Sequence, residues 1–388
     1  MNVSFFDDAI EFGGHELMAV AAASGVALNS SGVVKFHVWE GNHRLITALE
    51  NERRLGTAIE IVTMPVHAHK AQGLRSHFFR DGVSKVKQLL ADHRPDIVVA
   101  VQGRIELGSV AHQASGDLEI PSISYLPMAH THREMGSSDR FGLKDIISRQ
   151  LYKLPNSYIT VSQSIAEQIK RFAPDLPCAI VENFVDADPN PPSKAEARFK
   201  LGLQADEKIV GIVGRIQFSQ KGHDWVIDAL KLRPQCLENV RFLIVGDGPD
   251  LKRLRNLVTE AGLAPKFTFL GWRKNDMVTI YSALDVLLIP SLFEGVPLVM
   301  LEGLVYGKHI VGSDRTAMID WLPRSNRFDP HSPKEIIDVL ERILSLEPGS
   351  ANDSYINDAR KRIPKKAIFG KKFYRVVKNY AENITVSG

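Results

Sequence analysis

Short aliphatic or β-branched runs alternate with longer stretches of helical periodicity along this chain, and the alternation runs twice with a break between the two passes. In the first pass the strand candidates are Val3 to Phe6, Val33 to Val38, Ala58 to Val62, Asp96 to Val101, Pro121 to Leu126 and Ser157 to Val161. Amphipathic stretches such as Glu16 to Leu28 and Phe78 to Asp92 lie between them. Alternation of this kind predicts a parallel sheet covered on both faces by helices. The segment Asn183 to Ala197, with Asp188-Pro189-Asn190-Pro191-Pro192 inside it, suits neither a central strand nor a helix and reads as a linker. The pattern then restarts with Lys208 to Val213, Val240 to Val245, Lys266 to Leu270, Asp285 to Ile289 and His309 to Gly312. A chain of 388 residues exceeds one comfortable hydrophobic core, so two doubly wound α/β domains are expected, with ligands at the carboxyl ends of the strands.

Composition narrows the class. Hydrophobic residues make up 44% and charged residues 24%, ordinary values for a globular enzyme, and a net charge of +3 is too small to argue for nucleic acid. Cys178 and Cys236 fall in different expected domains and form no metal or disulfide pattern, which fits a reducing compartment. No apolar run reaches the roughly 18 residues a membrane span needs. Asp7, Asp8 and Glu11 follow the first apolar run, which is wrong for a secretory signal. The expectation is a cytoplasmic protein.

Glu294 and Glu302 bracket what reads as a helix start just after the strand Asp285 to Ile289, in Pro290-Ser291-Leu292-Phe293-Glu294-Gly295-Val296-Pro297-Leu298-Val299-Met300-Leu301-Glu302-Gly303. Pro297 suits the first helical turn, where its missing N–H is no loss, and Gly307 suits the end. The amides from Gly295 to Leu298 then point out of a helix N-terminus, which attracts phosphate and disfavours Glu294 unless that carboxylate has another partner. Glu302, one turn after Leu298, has the chemistry to accept two hydrogen bonds from a ribose diol. The plain alternative is a helix-terminal charge and a solvated Glu.

Two cations, Arg215 and Lys221, flank Ile216-Gln217-Phe218-Ser219-Gln220 after a strand and suit a diphosphate on which charge grows as a bond breaks; their plain reading is surface charge. Phe12-Gly13-Gly14-His15-Glu16 follows the first strand and opens a helix, where paired glycines let a ligand approach the backbone or simply make a turn. The strand Pro121 to Leu126 runs into His130, Thr131, His132, Arg133 and Glu134. Three nearby ligands without a fourth make a poor closed metal site, and an ordinary pair of loop histidines is the alternative. Leu243-Ile244-Val245-Gly246-Asp247-Gly248-Pro249 lacks the third glycine of a dinucleotide fingerprint.

With Val213-Gly214-Arg215-Ile216, Lys221-Gly222 and a Glu-x7-Glu element after Pro290-Ser291, the chain resembles the retaining nucleotide-sugar glycosyltransferases of family 4. That resemblance implies the GT-B fold: a Rossmann-like acceptor domain over 1–184, a donor domain over 185–369, and a final helix of about 370–388 packing back on the first. It departs from the family at Gly295-Val296-Pro297, where a trio such as Gly-Phe-Gly is usual, and at Phe184, where the hinge entry Val181-Glu182-Asn183-Phe184-Val185-Asp186 usually has Gly. The resemblance assigns donor binding to Gly14, Arg215, Lys221, Gly295, Val296, Pro297, Leu298 and Glu302. It assigns catalysis to His130 (with His132 next in line), Arg215, Lys221 and Glu294. It also implies a UDP- or GDP-sugar donor, a glycan or lipid-linked acceptor of the bacterial surface-polysaccharide kind, and no metal or other cofactor. Phe269-Leu270-Gly271-Trp272 and the loop to Asn275 match loosely where the family receives the base. Readings of other classes are a nucleotide-sugar epimerase of the same fold and a non-catalytic sugar-nucleotide-binding paralogue.

Finally, Lys70, Arg75, Arg80, Lys85 and Lys87 run beside Leu74, Phe78, Phe79, Val83 and Val86. This suggests docking of the first domain on an anionic membrane surface, peripheral at the inner face of the cell membrane, unless the apolar residues face the sheet.

Overall fold

The computed structural model describes residues 1–69, 80–136, 143–233, 237–273, 275–346 and 354–385. The chain divides into two compact units, Met1–Phe184 with Pro364–Gly388, and Val185–Ile363.

Unit 1 carries seven parallel strands: β1 Val3–Asp7, β2 Val34–Trp39, β3 Ile59–Met64, β4 Ile97–Val101, β5 Ser122–Tyr125, β6 Ser157–Thr160 and β7 Cys178–Ile180, in the order β3-β2-β1-β4-β5-β6-β7. β1 and β4 are buried at every position, as central strands of a two-sided sheet must be. The helix Gly14–Asn29 covers one face and crosses the last helix, Lys366–Thr385, at a glycine pair: a Cβ on Gly25 would lie 2.2 Å from Gly370 Cα. The expected return at 370 therefore moves forward to Pro364, because Phe369 is already fully buried in unit 1 beside Phe184 (5.2 Å between rings) and Lys366 pairs with Glu52 at 2.5 Å. Phe373 seats on Tyr125 and Phe5.

Unit 2 carries six parallel strands: β8 Lys208–Val213, β9 Val240–Val245, β10 Phe267–Gly271, β11 Val286–Ile289, β12 His309–Ser313 and β13 Arg327–Phe328, in the order β10-β9-β8-β11-β12-β13. Its core joins Val210, Phe242, Ile244 and Leu288 to Val226, Leu230, Ile336 and Leu340 from the covering helices.

The stretch read as linker is irregular from Val181 to Pro192, but the helix Lys194–Lys200 begins inside it, where Ser193 and Glu196 form a reciprocal capping box. The amphipathic segment of unit 1 is a helix from Asp81 to His93, and its apolar side belongs to the core: Val83, Val86 and Leu90 are buried against Met64, Val98 and Val110. Arg80 and Lys87 both face Asp117, at 2.5 and 3.8 Å. The apolar residues of this helix thus face the sheet, the alternative to a docking face; Lys70, Leu74, Arg75, Phe78 and Phe79 lie outside the described residues, as does Cys236. Among the described residues no helix is long and apolar enough to cross a membrane.

Candidate functional site

In an open α/β sheet the ligand crevice forms where successive connections leave in opposite directions. In unit 2 that point lies between β8 and β11, and the loops after these two strands carry Arg215, Lys221 and Glu294.

The loops are locked together. Gly222 has φ +60, and a Cβ there would sit 2.3 Å from Pro290 O, so only glycine lets the Lys-Gly turn lie against the end of β11. The Leu292 N–H donates to Gln220 O at 2.7 Å, and Ser313 Oγ donates to Ser291 O at 2.5 Å. On the other side, Gly246 has φ +143 and packs on Gly214, whose carbonyl oxygen would be 1.9 Å from a Cβ at 246. The Ile216 N–H donates to Asp247 O, and Asp250 caps the short helix Phe218–Lys221 by accepting from the Phe218 N–H. The glycines of 246–248 therefore serve as a backing for the Arg215 loop.

Lys221 Nζ donates to Glu294 Oε1, and the two side chains are only 20% and 9% exposed. This is the partner that Glu294 needs beside a helix N-terminus. Pro297 is the N-cap of the helix Leu298–Val305, one position earlier than a first-turn proline; Gly295 and Leu298 are half-buried and Val296 is buried. First-turn N–H groups have no acceptor within the helix. Arg215 is exposed. Glu302 accepts from the Tyr281 hydroxyl; burial raises its carboxyl above the usual range, and the tyrosine bond opposes that rise. One carboxylate oxygen is thereby used inside the protein, which the diol reading did not foresee. His223, next to Gly222, was not singled out: it is buried with neither ring nitrogen bonded, and burial, then the Lys221 charge, pull it down to about 4.

Unit 1 has its own crevice between β1 and β4. Gly13 is the extended N-cap of the helix that Gly14 begins, and its N–H donates to Glu16 Oε2 at 2.7 Å, so Glu16 caps its own helix. Beneath lie Asp7 and Asp8, both fully buried. Asp7 Oδ1 accepts from the Ala9 N–H while Oδ2 has no partner, and Asp8 Oδ1 accepts from the Gly108 N–H at 2.9 Å. Burial, then the Glu16 charge, raise the Asp7 carboxyl well above its ordinary value; burial pushes Asp8 up to about 6. His15 packs on Tyr125, 4.9 Å between rings; burial holds the imidazole down at about 3, and neither its nitrogens nor the Tyr125 hydroxyl has a partner.

The two loop histidines part company. His132 Nε2 lies 2.8 Å from Glu106 Oε1, which also accepts from Ser148 Oγ, and the His132 N–H donates to Asp145. His130, its side chain 5% exposed, faces Glu134 at 3.8 Å, and that contact leads the causes that lower Glu134 to about 2. His130 and Glu134 thus face each other while His132 turns to Glu106, and among the described residues the three would-be ligands form no metal-holding group.

Comparison with known proteins bears on the fold and on residues 193–362. Residues 193–362 match the family glycosyl transferases group 1. The fold is GT-B. Over 204 residues the chain is 32% identical to 2-deoxystreptamine N-acetyl-D-glucosaminyltransferase of Streptomyces fradiae, a match covering 49% of this chain and 45% of that protein. It is 28% identical over 221 residues to an uncharacterized glycosyltransferase of Methanocaldococcus jannaschii, covering 54% and 55%. The chain spans about half the length of the curated relatives it matches. Among solved structures, Anabaena HepE in complex with UDP and glucose superposes with a TM-score of 0.75 at 19% identity, over 98% of this chain and 100% of that one.

Proposed function

We propose that this chain is a retaining glycosyltransferase that moves a sugar from a UDP- or GDP-sugar to a glycan or lipid-linked acceptor without a metal. The observation that carries the reading is the Lys221–Glu294 pair at the β8/β11 switch point, with Arg215 on the same loop and the N-terminus of the helix Leu298–Val305 beside it. A diphosphate there would meet the ammonium protons that Glu294 does not use, the Arg215 guanidinium and the amides of Gly295, Val296 and Leu298. These donors gain most as negative charge collects on the leaving phosphate, so they favour the transition state over bound donor. Glu302 has its second oxygen for a ribose hydroxyl. The retaining course, by front-face attack with the leaving phosphate oxygen taking the acceptor proton, follows from the family resemblance, as does the place of His130 toward the transferred sugar. A relative named as a 2-deoxystreptamine N-acetyl-D-glucosaminyltransferase, and a neighbour of the same fold in complex with UDP and glucose, support the choice of donor class. A peripheral place at the inner membrane face rests on the sequence alone, in the basic run of Lys70, Arg75, Arg80, Lys85 and Lys87.

Isothermal titration with UDP, GDP and their glucose and mannose conjugates tests the donor assignment. One nucleoside diphosphate should bind, and Glu302→Ala should weaken it by about 1.5 to 3 kcal/mol, the worth of a charged hydrogen-bond partner. Binding unchanged by Glu302→Ala would reject the ribose role. Transfer that vanishes in excess chelator and returns with a divalent ion would reject metal independence.

A further inference from the structure

Away from the β8/β11 crevice, unit 2 holds a cavity of about 420 Å³ between residues 187–194 and the far end of the helix Leu298–Val305, with Arg360 at its rim. That is the size of a small-metabolite site. Three cations line it: Lys194, Lys308 and Arg360. Lys308 is largely buried, and its ammonium donates to Ser282 O and Leu284 O, both at 3.1 Å; among the described residues no carboxylate lies within ion-pair distance of it. Burial, then the nearby Lys194 charge, bring it down to about 8, so it stays mostly charged at neutral pH. The nearest acid, Asp285, is already spent on Lys194 (2.5 Å), Arg198 (2.6 Å) and the Ile209 N–H. Asp188 on the opposite wall accepts from the Asn190 N–H. A half-buried ammonium with carbonyl partners, beside Arg360 and a Lys194 already paired with Asp285, leaves the lining with more positive than negative charge even with Asp188 in it.

The wall also leads toward the donor crevice. Tyr306 lines the cavity, its hydroxyl accepts from the Asp188 N–H at 3.1 Å, and its ring stacks on Tyr281 at 5.7 Å. The Tyr281 hydroxyl donates to Glu302, one helical turn before Tyr306. One face of the Tyr306 ring is engaged in that stack, and among the described lining residues three cations stand against this single aromatic ring, which favours a compact phosphorylated ligand over a nucleotide.

We propose that this cavity is a second anion site, taking a small phosphate monoester on Lys194, Lys308 and Arg360, and that its occupancy reaches Glu302 through Tyr306 and Tyr281. The relay rests on the donor reading of Glu302; the site does not. Calorimetry with glucose 6-phosphate, inorganic phosphate and glucose as probes tests it. The two phosphates should bind and glucose should not. Arg360→Ala, at an exposed position that should not affect folding, should weaken the phosphates at least fivefold, and Lys308→Met at least tenfold, while Arg215→Ala leaves them unchanged. Absence of phosphate binding at millimolar concentration, or binding lost in Arg215→Ala and kept in Arg360→Ala, would overturn the site. Saturating glucose 6-phosphate should shift UDP affinity at least threefold in the wild type and not in Tyr281→Phe; a bound probe with no shift overturns the relay. A chain that binds the phosphates as expected but no nucleotide rejects the donor reading, and the relay with it, while the cavity site stands.

Discussion

The two units place a crevice at the same point of the same kind of sheet and furnish it with opposite chemistry. After β8 come cations, Arg215 and Lys221, the second held by Glu294 from the loop after β11. After β1 the chain buries Asp7 and Asp8, with neutral His15 and Tyr125 around them and polar atoms left without partners. Topology therefore fixes where a ligand can sit, and a few loop residues fix its charge. The crevice in unit 2 suits an anion. The one in unit 1 rests on two carboxyls that burial raises above their ordinary range.

The largest expected difference is structural. Gly246→Ala forces a Cβ against the Gly214 carbonyl at φ +143 and should destabilise unit 2 on the order of 4 kcal/mol. Gly13→Ala, in the loop after β1 of unit 1, meets only Glu16 Oε2 at 3.4 Å with an extended backbone and should cost about 1 kcal/mol or less, the ordinary difference between capping residues. Denaturant unfolding of both variants checks this. Equal losses would mean that the two glycine loops are equally constrained and that the comparison fails at its base.

Lys221→Ala and Arg215→Ala should each lower sugar transfer by roughly 10²-fold or more, since preorganised charge at a leaving group is worth several kcal/mol. They should differ in stability. Lys221→Ala takes the ammonium away from Glu294, at 9% exposure, and should destabilise by up to about 3 kcal/mol, whereas Arg215 is exposed and its removal should cost less. The double variant Lys221→Met/Glu294→Leu should recover most of the stability and none of the turnover. Recovery of both would show that the pair holds the fold and not the donor.

Asp8 provides the counterpart in unit 1. Its carboxyl is raised from 3.8 to about 6 by burial, so the folded state favours the proton. The associated stability is fully present below about pH 4 and lost as the pH rises through about 6, a change of about 3 kcal/mol at most. Asp8→Asn keeps an oxygen for the Gly108 N–H and removes the titration, so the stability of the variant relative to wild type should rise across that window. A difference that stays flat from pH 4 to 7 would mean that Asp8 is solvated, and that the acidic crevice is ionised like any surface.

How much of this was legible in the sequence also differs between the units. In unit 2 the candidate residues are local in sequence: Arg215 to Gly222 is one short loop, and Glu294 to Glu302 spans one helix start, so residue types and spacing singled them out and the family resemblance gave them their roles. The Lys221–Glu294 contact was not legible, because it depends on β8 and β11 being neighbours, a fact of strand order that no local pattern contains. In unit 1, Asp7 and Asp8 read as charges opposing a secretory signal; only the central place of β1 buries them. β7 and β13 were missed because three and two residues show no periodicity, and the helix Lys194–Lys200 because its capping box stood inside a proline-rich run.

The smallest expected effect concerns the charged surface of unit 1. The helix Asp81–His93 turns Val83, Val86 and Leu90 into the core and Arg80 and Lys87 toward Asp117, which leaves little apolar area to bury in lipid. Charge alone contributes about 1 kcal/mol per cation near an anionic surface, and a cation already facing a carboxylate contributes less. Lys85→Gln with Lys87→Gln should therefore change sedimentation with anionic vesicles by less than twofold at moderate salt. A loss of binding tenfold or greater in that variant, absent with neutral vesicles, would return this helix to the role of a membrane-docking face. It would also make unit 1, like unit 2, a cationic partner for an anion, which would remove the contrast between them.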